Sequence, residues 1–480
     1  MADRYPRLAS LKTADAFEAH LRTSGIDLAF DRTLAAPEAS PLAAPLDLAG
    51  VQLPNRFAIL PMEGWDGTTD GRPTDLTRRR WQHFGRSGAT LIWGGEAVAV
   101  RPDGRANPRQ LMLSDATEGE IGALRDVLIA SHTESFGAAS AGRLVLGLQL
   151  THSGRFAKWR GHHDPDPITA YAHPLLDRRF KSTHLISDEE LDRLIEEFVR
   201  AAARAAALGF QFVDIKHCHG YLGHELLSAR TRPGKYGGSI ENRTRFLREI
   251  VAGIRASSPG LGVGVRLSAF DTVPYVMGAD RIGIPQEPAV SYTYAFGRLD
   301  DGDVDATLAD SREFVGIMRG LGVRLLCVTG GSPYYCPHVI RPATFPPSDG
   351  YDPPEDPLRG VARHLRLTAG IKARFPDVLV VGSGYSYLQE WLPHVAQASV
   401  RSGGVDVVGI GRLVLSYPDA PADILAGRPM RRKAICRTFS DCTTAPRNGL
   451  VSGCYPLDDF YVKHPDAEPL KAVKAETRNT

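Results

Sequence analysis

No run of about 18 consecutive apolar residues occurs in this chain, so no membrane-spanning helix is expected. The first twenty residues, "MADRYPRLASLKTADAFEAH", lack the apolar core of a secretory leader, which makes the cytoplasm the expected compartment. An excess of one charge is lacking too. Lys+Arg 57 against Asp+Glu 55 leaves +2 over 480 residues, which gives no electrostatic hold on nucleic acid or an anionic membrane. Cysteine is scarce, six in all, and suits reduced thiols, free or ligating, rather than a disulfide framework. No G-x-G-x-x-G follows a strand pattern, so no second dinucleotide-binding portion is expected. Short-period repeats and low-complexity tracts are also missing. By length alone the chain has room for about three domains, although a barrel of alternating strands and helices can exceed 250 residues as one unit.

What is present is a series of eight short apolar runs that end in glycine or polar residues. They are "RFAILPME" (56–63), "ATLIWGGEA" (89–97), "LVLGLQLTHSG" (144–154), "FQFVDIKHCHG" (210–220), "GVGVRLSAFD" (262–271), "RLLCVTGGS" (324–332), "VLVVGSG" (378–384) and "VDVVGIGR" (405–412). Continuous rather than alternating hydrophobicity marks parallel strands covered on both faces. Helical stretches separate most of them. Residues 187–209 open on a Ser N-cap with an acidic first turn and stop at Gly209. Residues 239–255 place Ile240, Phe246, Leu247, Ile250, Val251 and Ile254 on one stripe.

Eight such units in unbroken order predict an α/β fold, a (β/α)8 TIM barrel, rather than an open doubly wound sheet. The barrel would run over 46–427, between an N-terminal arm (1–45) and a C-terminal tail (428–480) that carries Cys436, Cys442 and Cys454. Active sites of such barrels lie where the strands end. Glu63, Glu96, Gln149, Lys216, Arg266, Gly384 and Arg412 each close a strand or follow it directly. Two long inserts, 100–142 and 272–312, follow strands two and five on that same face. The second, rich in Tyr, Pro and Gly, is expected to be a lid or pocket wall that sets substrate choice; a plain surface loop is the alternative.

The fourth run is chemically the densest. "VDIKHCHGYLGHELLS" (213–228) leaves a buried strand and delivers Lys216, His217, His219 and Tyr221 within six residues. Such a cluster is costly unless its members are solvated, paired or used. His217 is expected to face the helices in a structural role, Cys218 to be packed core, and His224 to cap or support. A strand-end lysine also permits Schiff-base chemistry, for which covalent labelling by borohydride and a keto-substrate would be the sign.

Several blocks in one order resemble the Old Yellow Enzyme family of FMN-dependent ene-reductases and its larger relatives, the 2,4-dienoyl-CoA reductases and trimethylamine dehydrogenases. They are "LPNRFAILPM", "LIWGGEA", "GLQLTHSGR", "HGYLGHELLS" with "RTRPGKYGGSIENRTRFLREI", "VRLSAFD", "VVGSG" and "VGIGR", spanning about residues 46 to 420. The resemblance implies FMN across the barrel mouth and NAD(P)H as co-substrate. Ser383 and Gly384, with Gly411 and Arg412, would take the phosphate through backbone N–H groups and a guanidinium fork. Gln149 would meet the flavin pyrimidine edge, and Arg266 would offset negative charge on the reduced ring. Pro61, Met62 and Ala97 would line the ring by backbone and van der Waals contact. Turn glycines, a structural ion pair of Arg266 and ordinary strand-end packing are the alternatives to these roles.

The resemblance also assigns the fourth strand. Two residues three apart hydrogen-bond the oxygen of an activated alkene, and a tyrosine two further on gives the proton; here they are Lys216, His219 and Tyr221. Fixed donors where charge builds up lower the barrier, and a phenol of ordinary pKa about 10 is protonated at neutral pH. Lys216 departs from the family's usual His, and Glu63 from its small residue. A carboxylate at 63 would repel the reduced ring, and so lower its potential or raise its own pKa, unless it turns toward Arg or Lys.

The tail departs as well. C-x5-C-x11-C replaces a four-cysteine motif that begins C-x2-C-x3-C. A cluster-free, metal-free tail is therefore expected, with an iron–sulfur cluster completed by a fourth ligand such as Asp441, or a zinc site, as alternatives. The expected reaction is hydride transfer from NAD(P)H through FMN to an activated C=C bond. An amine-oxidising flavoenzyme and a silent flavin-binding partner protein are the other readings. A small-molecule substrate, no nucleic-acid or membrane partner, and a homo-oligomeric state complete the expectation.

Overall fold

A computed structural model describes residues 4–182, 184–287, 291–300 and 302–479. Eight parallel strands close into a barrel: β1 (Phe57–Ile59), β2 (Leu91–Ile92), β3 (Val145–Thr151), β4 (Phe212–Ile215), β5 (Gly262–Ser268), β6 (Leu325–Thr329), β7 (Leu379–Gly382) and β8 (Val407–Ile410). Each pairs in parallel with its successor, and β8 pairs with β1 to complete the ring. After β2 the chain leaves β3 while still bonding to the β1 segment, through the Trp93 N–H to the Ile59 carbonyl and the Met62 N–H to the Gly95 carbonyl, both 2.9 Å, and rejoins β3 through Ala97–Ala99.

Both faces of these strands are buried, which explains their unbroken hydrophobicity. Ala58, Leu91, Trp93, Phe212, Leu325, Cys327, Leu379, Val381 and Val407 fill the interior. Phe57, Ile59, Ile92, Leu148, Val213, Ile215, Val265 and Leu267 belong to the larger core shared with the helices. By the two-residue period, Asp214 and Lys216 continue the inward row of Phe212 toward the strands' C-terminal ends. An antiparallel hairpin, Leu46–Leu48 with Val51–Leu53, packs against the interior cluster at the opposite end.

The outer ring comprises α1 (Asp75–Gly85), α2 (Glu118–Phe136), α3 (Asp188–Ala207), α4 (Arg245–Ser257), α5 (Val304–Gly320), α6 (Pro357–Arg374), α7 (Leu392–Arg401) and the short α8 (Ala420–Leu425). Ser187 and Glu190 form a reciprocal capping box on α3. The helix anticipated over 239–255 is two pieces, because Ile240–Arg243 ends at Thr244 before α4 begins. The segment 100–142 is not simply an insert, since it holds α2, whose Ile121, Leu124 and Leu128 are buried in the core. The arm carries a helix, Ala14–Thr23, whose Phe17 stacks on Trp391 at 4.4 Å.

The tail folds back over the barrel mouth. Its short helices Asp441–Arg447 and Asp459–Val462 and the terminal helix Ala467–Asn479 are tied down by polar contacts. Arg79 grips Asp458 with two bonds of 2.8 and 2.9 Å, and Lys474 holds Asp441 at 2.5 Å.

Candidate active site

A cavity of about 250 Å³ opens at the C-terminal ends of the strands, beneath the tail. The ends of β1, β5, β7 and β8 supply Pro61, Met62 and Glu63, Arg266, Ser383 and Gly384, and Gly411 and Arg412; the turn after β4 supplies His219 and Tyr221. Residues from five separate strand ends thus meet in one space, as parallel closure requires.

One end of the cavity is rich in unmatched positive charge. Among the described residues, Arg341 Nη2 and Arg412 Nη1 there are buried donors without a partner, as is Arg266 Nε nearer His219. No ion pair joins any of these three arginines to a carboxylate among the described residues. Arg412 is held inward, its Nη2 donating to the Pro342 carbonyl at 2.8 Å. Burial, and then repulsion from Arg412, push the Arg341 guanidinium down to about 10. An unmet buried donor costs about 1–3 kcal/mol, and more when charged. Gly384 adopts φ 95°, a left-handed turn costly for other residues, and a Cβ on Gly411 would meet only Met62 Sδ, at 3.5 Å. Open backbone beside unpaired guanidiniums is the chemistry a phosphate needs, so this end fits the phosphate of FMN.

The other end holds groups that bind or move protons. Tyr221 is 2 % exposed, and its hydroxyl lies 3.0 Å from that of Tyr334. Burial, reinforced by the Glu63 carboxylate, holds the Tyr221 phenol well above its ordinary range, so it stays protonated. His219 has φ 70°; its backbone N–H donates to Ser268 Oγ at 3.1 Å, and its carbonyl accepts from Ser332 Oγ at 2.6 Å. Burial, then Lys216 and Arg266, hold its imidazole well below the usual value, so it is neutral at physiological pH.

Lys216 and Glu63, the two departures, face each other. The ammonium, 3 % exposed, sits 3.5 Å from Glu63 Oε2 and 4.0 Å from the Tyr221 ring centroid. Trp65 Nε1 donates to Glu63 Oε1 at 2.6 Å. Glu63 therefore turns toward a lysine, one of the outcomes its position allowed. Its loop has a buried foundation. Arg80 donates Nε to Glu96 at 2.8 Å and Nη2 to Asp66 at 2.9 Å, while Glu96 accepts from the Gly64 N–H at 3.3 Å. Burial pushes Glu96 up to about 8 despite that arginine.

Some candidate residues lie apart from the cavity. Gln149, 1 % exposed, donates Nε2 to Asp214 at 2.6 Å inside the barrel, where Trp93 Nε1 reaches the same oxygen at 2.8 Å. Ala97 is 1 % exposed, and its carbonyl accepts from Gln110. His217 is structural, with Nδ1 2.8 Å from the Ile215 carbonyl and its ring against Phe246 and Phe314. Cys218 is core, its thiol pushed up to about 12 by burial. His224 accepts from the Gly220 N–H at 2.9 Å and so fixes the turn before Tyr221.

Among the described residues, none of the insert 272–312 lines the cavity. That segment's hairpin, Tyr275–Met277 with Gly283–Pro285, instead buttresses the stretch after β6, with Tyr275 against His338 at 4.5 Å. The wall is built by Pro333, Tyr334 and Arg341 from that stretch and by Cys442, Arg447 and Cys454 from the tail. Sequence reasoning missed Tyr334, Arg341 and Arg447. For the first two a signal existed, since "SPYYCPHVIRP" follows the end of β6 directly. All six cysteines are free, and among the described residues no three His, Cys, Asp or Glu side chains gather in metal-ligand geometry.

The model of the NADH:flavin oxidoreductase / NADH oxidase family matches residues 41–281. An NADPH dehydrogenase of Halalkalibacterium halodurans is 34% identical over 227 residues, 46% of this chain and 61% of that protein. An NADPH dehydrogenase of Bacillus subtilis is 32% identical over 248 residues, 50% of this chain and 68% of that one. The match thus spans only about two-thirds of these relatives' length. Among solved structures, 2-naphthoyl-CoA reductase in complex with 2-naphthoyl-CoA aligns with TM-score 0.65 and 17% identity over 90% of this chain and 58% of its own. Morphinone reductase in complex with tetrahydroNAD aligns with TM-score 0.55 and 21% identity over 82% and 92%. At such identities the structures bear on the fold alone.

Proposed function

The chain belongs to the NADH:flavin oxidoreductase / NADH oxidase family, and from that premise we propose that it is an FMN-dependent oxidoreductase of the Old Yellow Enzyme class acting on an activated C=C bond. The observation that carries this reading is the trio of unpaired arginines in the same cavity as a protonated phenol and a neutral imidazole. When bound, FMN would supply the hydride chemistry between NAD(P)H and the alkene. Arg341 and Arg412, with the backbone at Gly384 and Gly411, hold the phosphate, and Arg266 offsets charge on the ring. His219 donates to the carbonyl oxygen on which negative charge builds. Tyr221 gives its proton to the α-carbon. Lys216 acts through its field, its charge shared with Glu63. The six unpaired cysteines support a reducing compartment, the cytoplasm.

A specific observation favours a second reading. Glu63 lines the cavity together with Trp65, Tyr221 and Tyr334, and a carboxylate among aromatic rings suits a cationic amine. Anaerobic mixing separates the two readings. Yellow protein bleached by NAD(P)H and recoloured by an enone supports ene-reduction, whereas bleaching by an amine alone supports the second. Colourless protein that takes up no FMN would overturn both.

A further inference from the structure

Tyr221 is closed off from water, and a phenol that gives up its proton there must regain one before the next turnover. Among the described residues, the Tyr221 hydroxyl has one hydroxyl neighbour, that of Tyr334 at 3.0 Å. Tyr334 comes from the stretch after β6 and is held in place on several sides. Its ring stacks on Phe156 at 4.0 Å and 9°. The Arg447 guanidinium lies over the Tyr334 ring, 5.6 Å from its centroid. Its backbone N–H donates to Ser332 Oγ at 3.2 Å, the same hydroxyl that binds the His219 carbonyl. Thus one serine ties the Tyr334 segment to the turn that carries His219 and Tyr221. Unlike Tyr221, Tyr334 is partly exposed.

From this arrangement we propose that Tyr334 is the relay through which Tyr221 is reprotonated. The inference rests on the reading of Tyr221 as proton donor given above. The Tyr221 O–H bond breaks as its proton joins the α-carbon, whose electron pair forms the new C–H bond. The Tyr334 proton then moves to the Tyr221 oxygen, and water returns a proton to Tyr334. No oxidant or reductant enters these proton steps. Tyr334 touches the donor rather than the reacting carbon, so it is a positioning and relay residue. Arg447 favours a transient Tyr334 phenolate, an effect its own ion-pair partner Asp349 partly offsets.

The test is Tyr334→Phe, which keeps the ring on Phe156 and removes only the hydroxyl. In the FMN-loaded protein, bleaching by NAD(P)H should be unchanged. Continuous turnover with NAD(P)H and an enone, which needs Tyr221 recharged in every cycle, should slow on the order of tenfold, below the hundredfold or more for losing the acid itself, with an altered solvent deuterium isotope effect. Tyr334→His, which can again carry a proton, should restore part of the rate. Difference-absorbance titration supplies a readout independent of turnover, because ionisation of Tyr221 should shift when its hydroxyl partner is removed. Unchanged continuous turnover with an unchanged isotope effect, or an unshifted titration, would overturn the relay. If wild-type protein is bleached but no enone recolours it, the substrate reading fails, and the titration still decides whether the two phenols are coupled.

Discussion

Arg341 lies between two prolines on the stretch after β6; its position past a strand end was the one signal in the sequence, and nothing else local distinguishes it from a surface arginine. Only the fold brings it beside Arg412, with which it shares a buried space and no carboxylate. Two like charges held together without counter-ion raise the free energy of the empty site and favour whatever anion enters. Replacing Arg341 by Ala should weaken FMN binding roughly ten- to hundredfold, the scale of one charge-assisted hydrogen bond in a buried setting. Fluorescence titration of flavin-stripped protein measures it, and unchanged affinity would move the phosphate elsewhere. Glu63 and Lys216 teach the converse. Each was legible in the sequence as a departure, but their mutual contact at 3.5 Å depends on where the strand ends of β1 and β4 fall around the ring.

At the level of elements, the strands were readable because both of their faces are buried, so their hydrophobicity needs no partner to be recognised. The loops were not, since their roles depend on which distant segment they meet. The hairpin after β5 looked like a pocket wall and instead props the segment that is one. Several elements are also pinned by neutral histidines. His217 beside β4, His224 in the following turn and His364 on α6 are buried, and burial pulls them down to about 4, about 3 and about 4. Their folded values lie below the unfolded value near 6.5. Their contribution is therefore complete above pH 6.5 and fades as pH falls toward 4, because the unfolded chain takes up protons the folded one refuses. The thermal midpoint should drop across that interval by an amount reflecting on the order of a few kcal/mol in total. Scanning calorimetry between pH 7 and 4 checks it, and a flat profile would contradict the assignment.

The whole molecule is a barrel roofed by its own tail, and the sequence hinted at the tail mainly through its cysteines. What the tail contributes to the site is a wall, clasped to α1 by the bidentate Arg79–Asp458 contact. Asp458→Ala removes that clasp and the cap on the helix Asp459–Val462, about 1 kcal/mol each, and should leave the fold intact. It should nevertheless speed the release of FMN, measured as loss of colour on dilution. If release is as slow as in wild type, the roof is held by other contacts. At the far end, the hairpin of residues 46–53 plugs the cylinder. With that stopper below and side chains filling the interior, the cavity at the strand ends has no back entrance, so on the proposed reading nicotinamide donor and oxidant would share one doorway and one berth, each waiting for the other to vacate it. Excess of either should slow the other's turn, giving reciprocal competitive inhibition in steady-state assays.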